Sequence, residues 1–152
     1  MRRRDFANYF ARLAGTWLLN LVVGKSAWPA WNAEAFASGD YARRFDVLFA
    51  GQSVIDSREI SLDLPAIAEN GAVVPIVISS ELDGIDQLYL WVEKNPTPLA
   101  ARFELSPSVV VFVSARIKMA ESCNVVVLAR QGSRWLRNRQ WVQVMQGGCG
   151  TG

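Results

Sequence analysis

No histidine occurs in the 152 residues of this chain. That removes the usual zinc ligand, the usual general base at neutral pH and the imidazole that would activate a cysteine nucleophile. Cysteine is scarce as well, and the two present, Cys123 and Cys149, make a poor metal site without histidine beside them. No phosphate-binding glycine loop is present either. The dense glycine run "GGCG" at 147–150 ends a strand-like segment with no helix after it, whereas phosphate cradles need a following helix N-terminus. These absences argue against self-contained catalysis, and neither a metal site nor a cofactor of its own is expected. With 51% hydrophobic and 20% charged residues, the chain has the composition of a soluble protein with one ordinary core.

Long hydrophobic runs are missing too. The apolar stretch from Leu13 to Gly24 falls short of the roughly 20 residues that span a bilayer, so no permanent membrane anchor is expected. It follows an arginine-rich head and precedes small residues, the layout of an export signal. "RRRDF" sets Arg3 and Arg4 ahead of Phe6, which resembles the twin-arginine motif that carries folded proteins across the bacterial inner membrane. "AEAFA" offers a small-x-small site at Ala35 and Ala37, so cleavage is expected after Ala37, leaving 115 residues in the periplasm. Residues 38–152 carry 11 Lys+Arg against 12 Asp+Glu, a net charge of −1. The positive charge of the whole chain thus belongs to the leader and gives no support for nucleic-acid binding.

From Asp40 to Gly51, "DYARRFDVLFAG" sets Phe45, Leu48 and Phe49 on one helical face, with Asp40 as N-cap and Gly51 as the stop. This predicts a short helix lying on a sheet. Beyond it, about seven β-type segments follow: "REISLDL", "AVVPIVIS", "DQLYLWVEK", "AARFEL", "SVVVFVSARIKMA", "CNVVVLARQ" and "RWLRNRQWVQVM". Turn-forming clusters separate them at sandwich-like spacing, and no crossover helices lie between them, so an antiparallel β-sandwich is predicted. In "QLYLWVEK", Leu88, Leu90 and Val92 point one way and Tyr89, Trp91 and Glu93 the other. Pro75 cannot donate a ladder hydrogen bond, which assigns its strand to an edge or a bulge. Trp91, Trp135 and Trp141 serve either as packing or as interface anchors. Arg134, Arg137 and Arg139 read as a solvated strand face.

Cys123 opens a predicted strand and reads as a small buried hydrophobe. Cys149 differs, because Gly147, Gly148 and Gly150 surround it three residues before the end of the sequence. Glycine loses much conformational freedom on ordering, so this segment is expected to be a flexible arm. Fully extended, it carries Cys149 about 10 Å beyond Gln146 with little bulk around the sulfur, slim enough for a narrow cleft in another protein. Neither imidazole nor lysine lies beside the thiol in sequence, so activation must come from the protein that receives it. That division of labour describes a covalent carrier. A Cys123–Cys149 disulfide is the competing arrangement, and a frayed terminus the other.

"IAENGAVVPI", "VEKNPTPLAARFEL", "ARIKMA" and the terminal "GGCG", together with the twin-arginine-like head, resemble the SoxY family, the sulfur-carrying subunits of the bacterial Sox thiosulfate-oxidising system. The resemblance covers about Leu62 to Gly150. It implies an immunoglobulin-like sandwich paired with a SoxZ-like β-sandwich subunit, holding sulfur intermediates on Cys149. It further implies three kinds of enzyme partner: a haem-containing one that joins thiosulfate to the sulfur, a dimanganese hydrolase that removes sulfate, and others that oxidise the remaining sulfane sulfur. The family's tail ends Gly-Gly-Cys-Gly-Gly, whereas this one continues with Gly150, Thr151 and Gly152. The expected organisation is a leader at 1–37, a helix and linker at 38–56, a sandwich at 57–146 and a carrier arm at 147–152. A different class of function remains beside it: an exported sandwich that binds a protein or stabilises an envelope complex, with Cys149 in an intermolecular disulfide.

Overall fold

The computed structural model describes residues 33–145. Arg3, Arg4 and most of the expected leader lie outside these residues, as do Gly147, Gly148, Cys149 and Gly150. The described chain is an all-β sandwich with one helix, α1 (Tyr41–Phe49), and nine strands. In chain order the strands are β1 (Val54–Asp56), β2 (Ser61–Asp63), β3 (Ile67–Ala68), β4 (Val74–Ser80), β5 (Ile85–Val92), β6 (Leu99–Glu104), β7 (Val111–Ile117), β8 (Cys123–Gln131) and β9 (Arg134–Val144). One sheet runs β1-β9-β8-β5-β6, with β3 also paired to β9, and the other runs β2-β4-β7. Among the described residues no helix is long and apolar enough to cross a membrane.

The alternation read from "QLYLWVEK" is what the strand does. Leu88, Leu90 and Val92 face the second sheet and join Ile76, Ile78, Val125 and Val127 in the main core. Tyr89 and Trp91 face the other way and are buried too, because α1 covers them. This explains why β8 reads as a nearly unbroken apolar run: Val125, Val127 and Ala129 point into the sandwich while Val126 and Leu128 point under the helix.

Helix α1 begins where expected, with the Asp40 carboxylate accepting hydrogen bonds from the backbone N–H of Ala42 at 2.9 Å and Arg43 at 3.3 Å. Just past its end, Gly51 takes a left-handed φ of 74°, a conformation that suits glycine. Phe45, Leu48 and Phe49 pack on the sheet as the helical spacing predicts. Phe49 stacks on Phe45 and meets Trp135 edge-on at 4.9 Å, while Tyr41 meets Trp91 edge-on at 5.6 Å. Burial, with the nearby Glu93 carboxylate, pushes the Tyr41 phenol up to about 12, so it stays neutral at working pH.

The residues before the helix belong to this packing as well. Ala35 is 4% exposed, Phe36 lies against the same aromatic cluster, and the Arg44 guanidinium donates to the carbonyls of Glu34 and Ser38. The expected cleavage point after Ala37 therefore falls inside a packed turn.

The structure departs from the sequence expectations at two places. Strand β4 is central to its sheet, not peripheral; Pro75 is tolerated because β2 pairs only with Val77–Ser79, so Pro75 lies past the end of that neighbour. The seven expected strands are all present, and two short ones, β1 and β3, add to them. β1 and β3 are three and two residues long, too short for a visible period, and both pair in parallel with β9, departing from a purely antiparallel arrangement.

At the far end of the large sheet, Arg130 grips Asp86 through two hydrogen bonds of 2.7 Å, which hold the Asp86 carboxyl below the usual carboxylate range. Both side chains are about one-third exposed, at 35% and 30%, so solvent screens the pair. We expect Asp86→Asn to cost about 1 kcal/mol at neutral pH by chemical denaturation. Because the folded-state pKa is depressed, this contribution is full above the unfolded-chain value of about 3.9 and fades as pH falls through the folded one. The gap between wild type and variant should therefore close in strong acid; a gap unchanged at pH 2 would contradict the assignment.

Candidate functional site

Strand β9 positions the end of the described chain. Its hairpin with β8 fixes the register from Gln131↔Arg134 to Cys123↔Val142, and β3 braces its last residues through Ile67↔Gln143 and Ala68↔Val144. The bracing continues past the strand: the Met145 N–H donates to the Ala68 carbonyl, and the Val144 N–H to the Ser122 hydroxyl, both at 2.9 Å. Gly71 packs where a side chain would overlap the Met119 carbonyl and lie 2.8 Å from Val144 Cγ1, so the backbones close up on this end of β9. The described residues thus end in a hydrogen-bonded part of the sandwich.

Cys123 behaves as the sequence suggests. It opens β8, is 1% exposed, faces the main core and forms no disulfide among the described residues. Burial pushes its thiol up from the ordinary value, so it holds its proton at physiological pH and is a poor nucleophile. A second cysteine could reach this sulfur only by displacing sandwich packing.

Most other polar groups near these strands are committed to structure or open to water; the Trp91 Nε1 and Arg102 Nε are buried without a hydrogen-bond partner among the described residues. Ser80, buried in the main sheet stack, donates its hydroxyl to the Glu59 carbonyl and accepts from the Leu82 N–H. Arg137 is tied to Asp56 through bonds of 2.7 and 3.1 Å, which draw the Asp56 carboxyl down. Arg134 donates to Gln131 at the hairpin, and Arg139 stays exposed. Arg137 and Arg139 line one open hollow with Asp56, Ser57 and Arg58, while Arg134 sits apart at the hairpin, as fits a solvated strand face. Among the described residues no group of His, Cys, Asp and Glu has the arrangement to hold a metal ion. The tryptophans divide by position: Trp91 and Trp135 are buried under α1, whereas Trp141 is 58% exposed. Sequence alone left these roles open, because the helix that shields one end of the sheet stops short of Trp141.

An immunoglobulin-like β-sandwich whose last strand is braced along its final residues defines the class: a small all-β scaffold, with Cys149 following it in the sequence. The family model of the sulfur oxidation protein SoxY matches residues 46–149, more than two thirds of the chain and including Cys149. The chain belongs to the SoxY family. Among solved structures, it is similar to the sulfur carrier protein SoxY from Chlorobium limicola f thiosulfatophilum, with a TM-score of 0.63 and 28% identity over 69% of this chain and 96% of that one. A superoxide reductase (neelaredoxin) from Ignicoccus hospitalis gives a TM-score of 0.47 at 13% identity, over 57% of this chain and 80% of that one. No curated protein matches.

Proposed function

We propose that this chain is a covalent carrier of sulfur intermediates during thiosulfate or reduced-sulfur oxidation, held as an S-adduct on Cys149 and presented in turn to separate enzymes. The supporting observation is the burial of Cys123. It leaves Cys149, within the family match, as the thiol able to serve. The chemistry is supplied from outside. A haem-containing partner removes two electrons and joins the Cys149 sulfur to the sulfane sulfur of thiosulfate. A dimanganese hydrolase then uses one water to release sulfate, leaving a persulfide for further oxidation. The carrier contributes the thiol, the slim arm and a fixed root, and pairs with a SoxZ-like β-sandwich subunit. The test is loading: the complex of this chain with that subunit, given thiosulfate and the haem-containing enzyme, should gain the thiosulfate mass on the C-terminal peptide. No gain on that peptide would sink the proposal.

Export to the periplasm through Arg3 and Arg4 is part of this reading. The leader ends after Ala37 in this reading, so its removal cuts through the turn at Glu34–Ser38. Intact-mass measurement of the exported protein should give an N-terminus at Ser38, whereas one upstream of Asn32 would overturn that boundary.

A further inference from the structure

We infer that an apolar patch at the foot of the arm, made by Ile67, Trp141 and Met145 with Arg139 at its edge, docks the enzymes that receive the Cys149 thiol. This rests on the carrier reading above. Alternation along β9 puts Arg139, Trp141, Gln143 and, just past the strand, Met145 on one face. The parallel register Ile67↔Gln143 adds Ile67 to that face. Ile67, Trp141 and Met145 are 53%, 58% and 54% exposed, so three large apolar side chains surround Gln143 in open solvent. Elsewhere on the same side of the sheet Trp91 and Trp135 are covered by α1. An exposed tryptophan beside a methionine is the composition of an interface centre, since these side chains bring large contact areas.

The length of the chain selects the occupant. Cys149 is four residues beyond Met145, so at about 3.3–3.6 Å per residue it can lie at most about 14 Å away. Any enzyme that draws the thiol below its own surface must come to rest against Met145 and its neighbours. A permanent subunit seated there would occupy the space those enzymes need, which argues for transient visitors. Arg139 has no ion pair among the described residues, whereas Arg130 and Arg137 each hold an aspartate. The complementary surface is an active-site entrance with an apolar rim and a carboxylate to meet Arg139.

The experiment uses the full chain in complex with its sandwich subunit, as wild type, Trp141→Ala and Arg139→Glu. Two rates are measured: sulfur loading by the haem-containing enzyme with thiosulfate, and reaction of Cys149 with a small aromatic disulfide reagent. We expect W141A to raise the carrier concentration for half-maximal loading about tenfold or more, with the maximal rate and the small-reagent rate unchanged. R139E should give a smaller rise that shrinks as salt is added. Loading of W141A at wild-type concentrations would overturn the proposal. So would loss of the sandwich subunit from W141A, which would assign the patch to the permanent interface, or an equal fall in the small-reagent rate, which would mean a disturbed arm. A wild-type complex that takes no adduct while binding the enzyme in a W141A-sensitive way would instead refute the carrier chemistry and keep the docking surface.

Discussion

Cys149→Ser is expected to reduce thiosulfate-dependent electron transfer through the carrier to background while leaving the melting temperature of the sandwich within about 2 °C of wild type. The functional loss is complete because the remaining cysteine, Cys123, is 1% exposed and its thiol is shifted upward by burial. The thiolate is the reactive form, and a sulfur locked in the core cannot take over. Stability is spared because the substitution lies beyond Met145, where the hydrogen-bonded bracing of β9 by β3 ends. The two readouts separate a carrier from the alternative of an exported binding subunit. A serine variant that still supports electron transfer would show that Cys149 has some other use, whereas one that also unfolds would show that the terminus belongs to the fold.

The largest expected effect on stability lies elsewhere, at Trp91. This side chain is fully buried between the sheet and α1 and touches the rings of Tyr41, Phe45 and Phe49 at centroid distances of 5.6, 6.2 and 6.4 Å. Trp91→Ala removes the centre of the second core and should cost about 3–5 kcal/mol in chemical denaturation, a large share of the stability of a small domain. Trp91→Phe should cost clearly less. It keeps an aromatic ring, and the indole Nε1 it gives up is buried without a hydrogen-bond partner among the described residues. Equal losses for both variants would mean that a phenyl ring recovers none of the packing, contrary to the ring contacts described above. Because Trp91 packs under α1 and Cys149 follows β9 in the sequence, a partly destabilised variant should still load sulfur while folded.

Sequence periodicity foretold most of this architecture, and the exceptions have physical causes. Asp40, Phe45, Phe49 and Gly51 gave the helix its start, its buried face and its end, because capping and helical spacing are local effects. Leu88, Leu90 and Val92 announced one side of a strand for the same reason. Pairing partners are not local. Nothing in "VID" or "IA" announces that Val54–Asp56 and Ile67–Ala68 lie alongside β9, and Pro75 misled because a central strand can extend past a short neighbour. The packed turn around Ala35 was hidden by its small residues, which suit a peptidase and a tight helix contact equally well. Around the site, glycines and a lone cysteine were legible as composition, whereas the patch of Ile67, Trp141 and Met145 emerges only once β3 is placed beside β9.

The most direct measurement is the mass of the C-terminal peptide containing Cys149, taken from the exported protein of thiosulfate-grown cells without reductant. The account expects sulfur-containing adducts on Cys149 that vanish when thiosulfate is withheld, with the Cys123 peptide unmodified. A bare Cys149 thiol under every sulfur-oxidising condition, or a Cys123–Cys149 disulfide in the active protein, would contradict it.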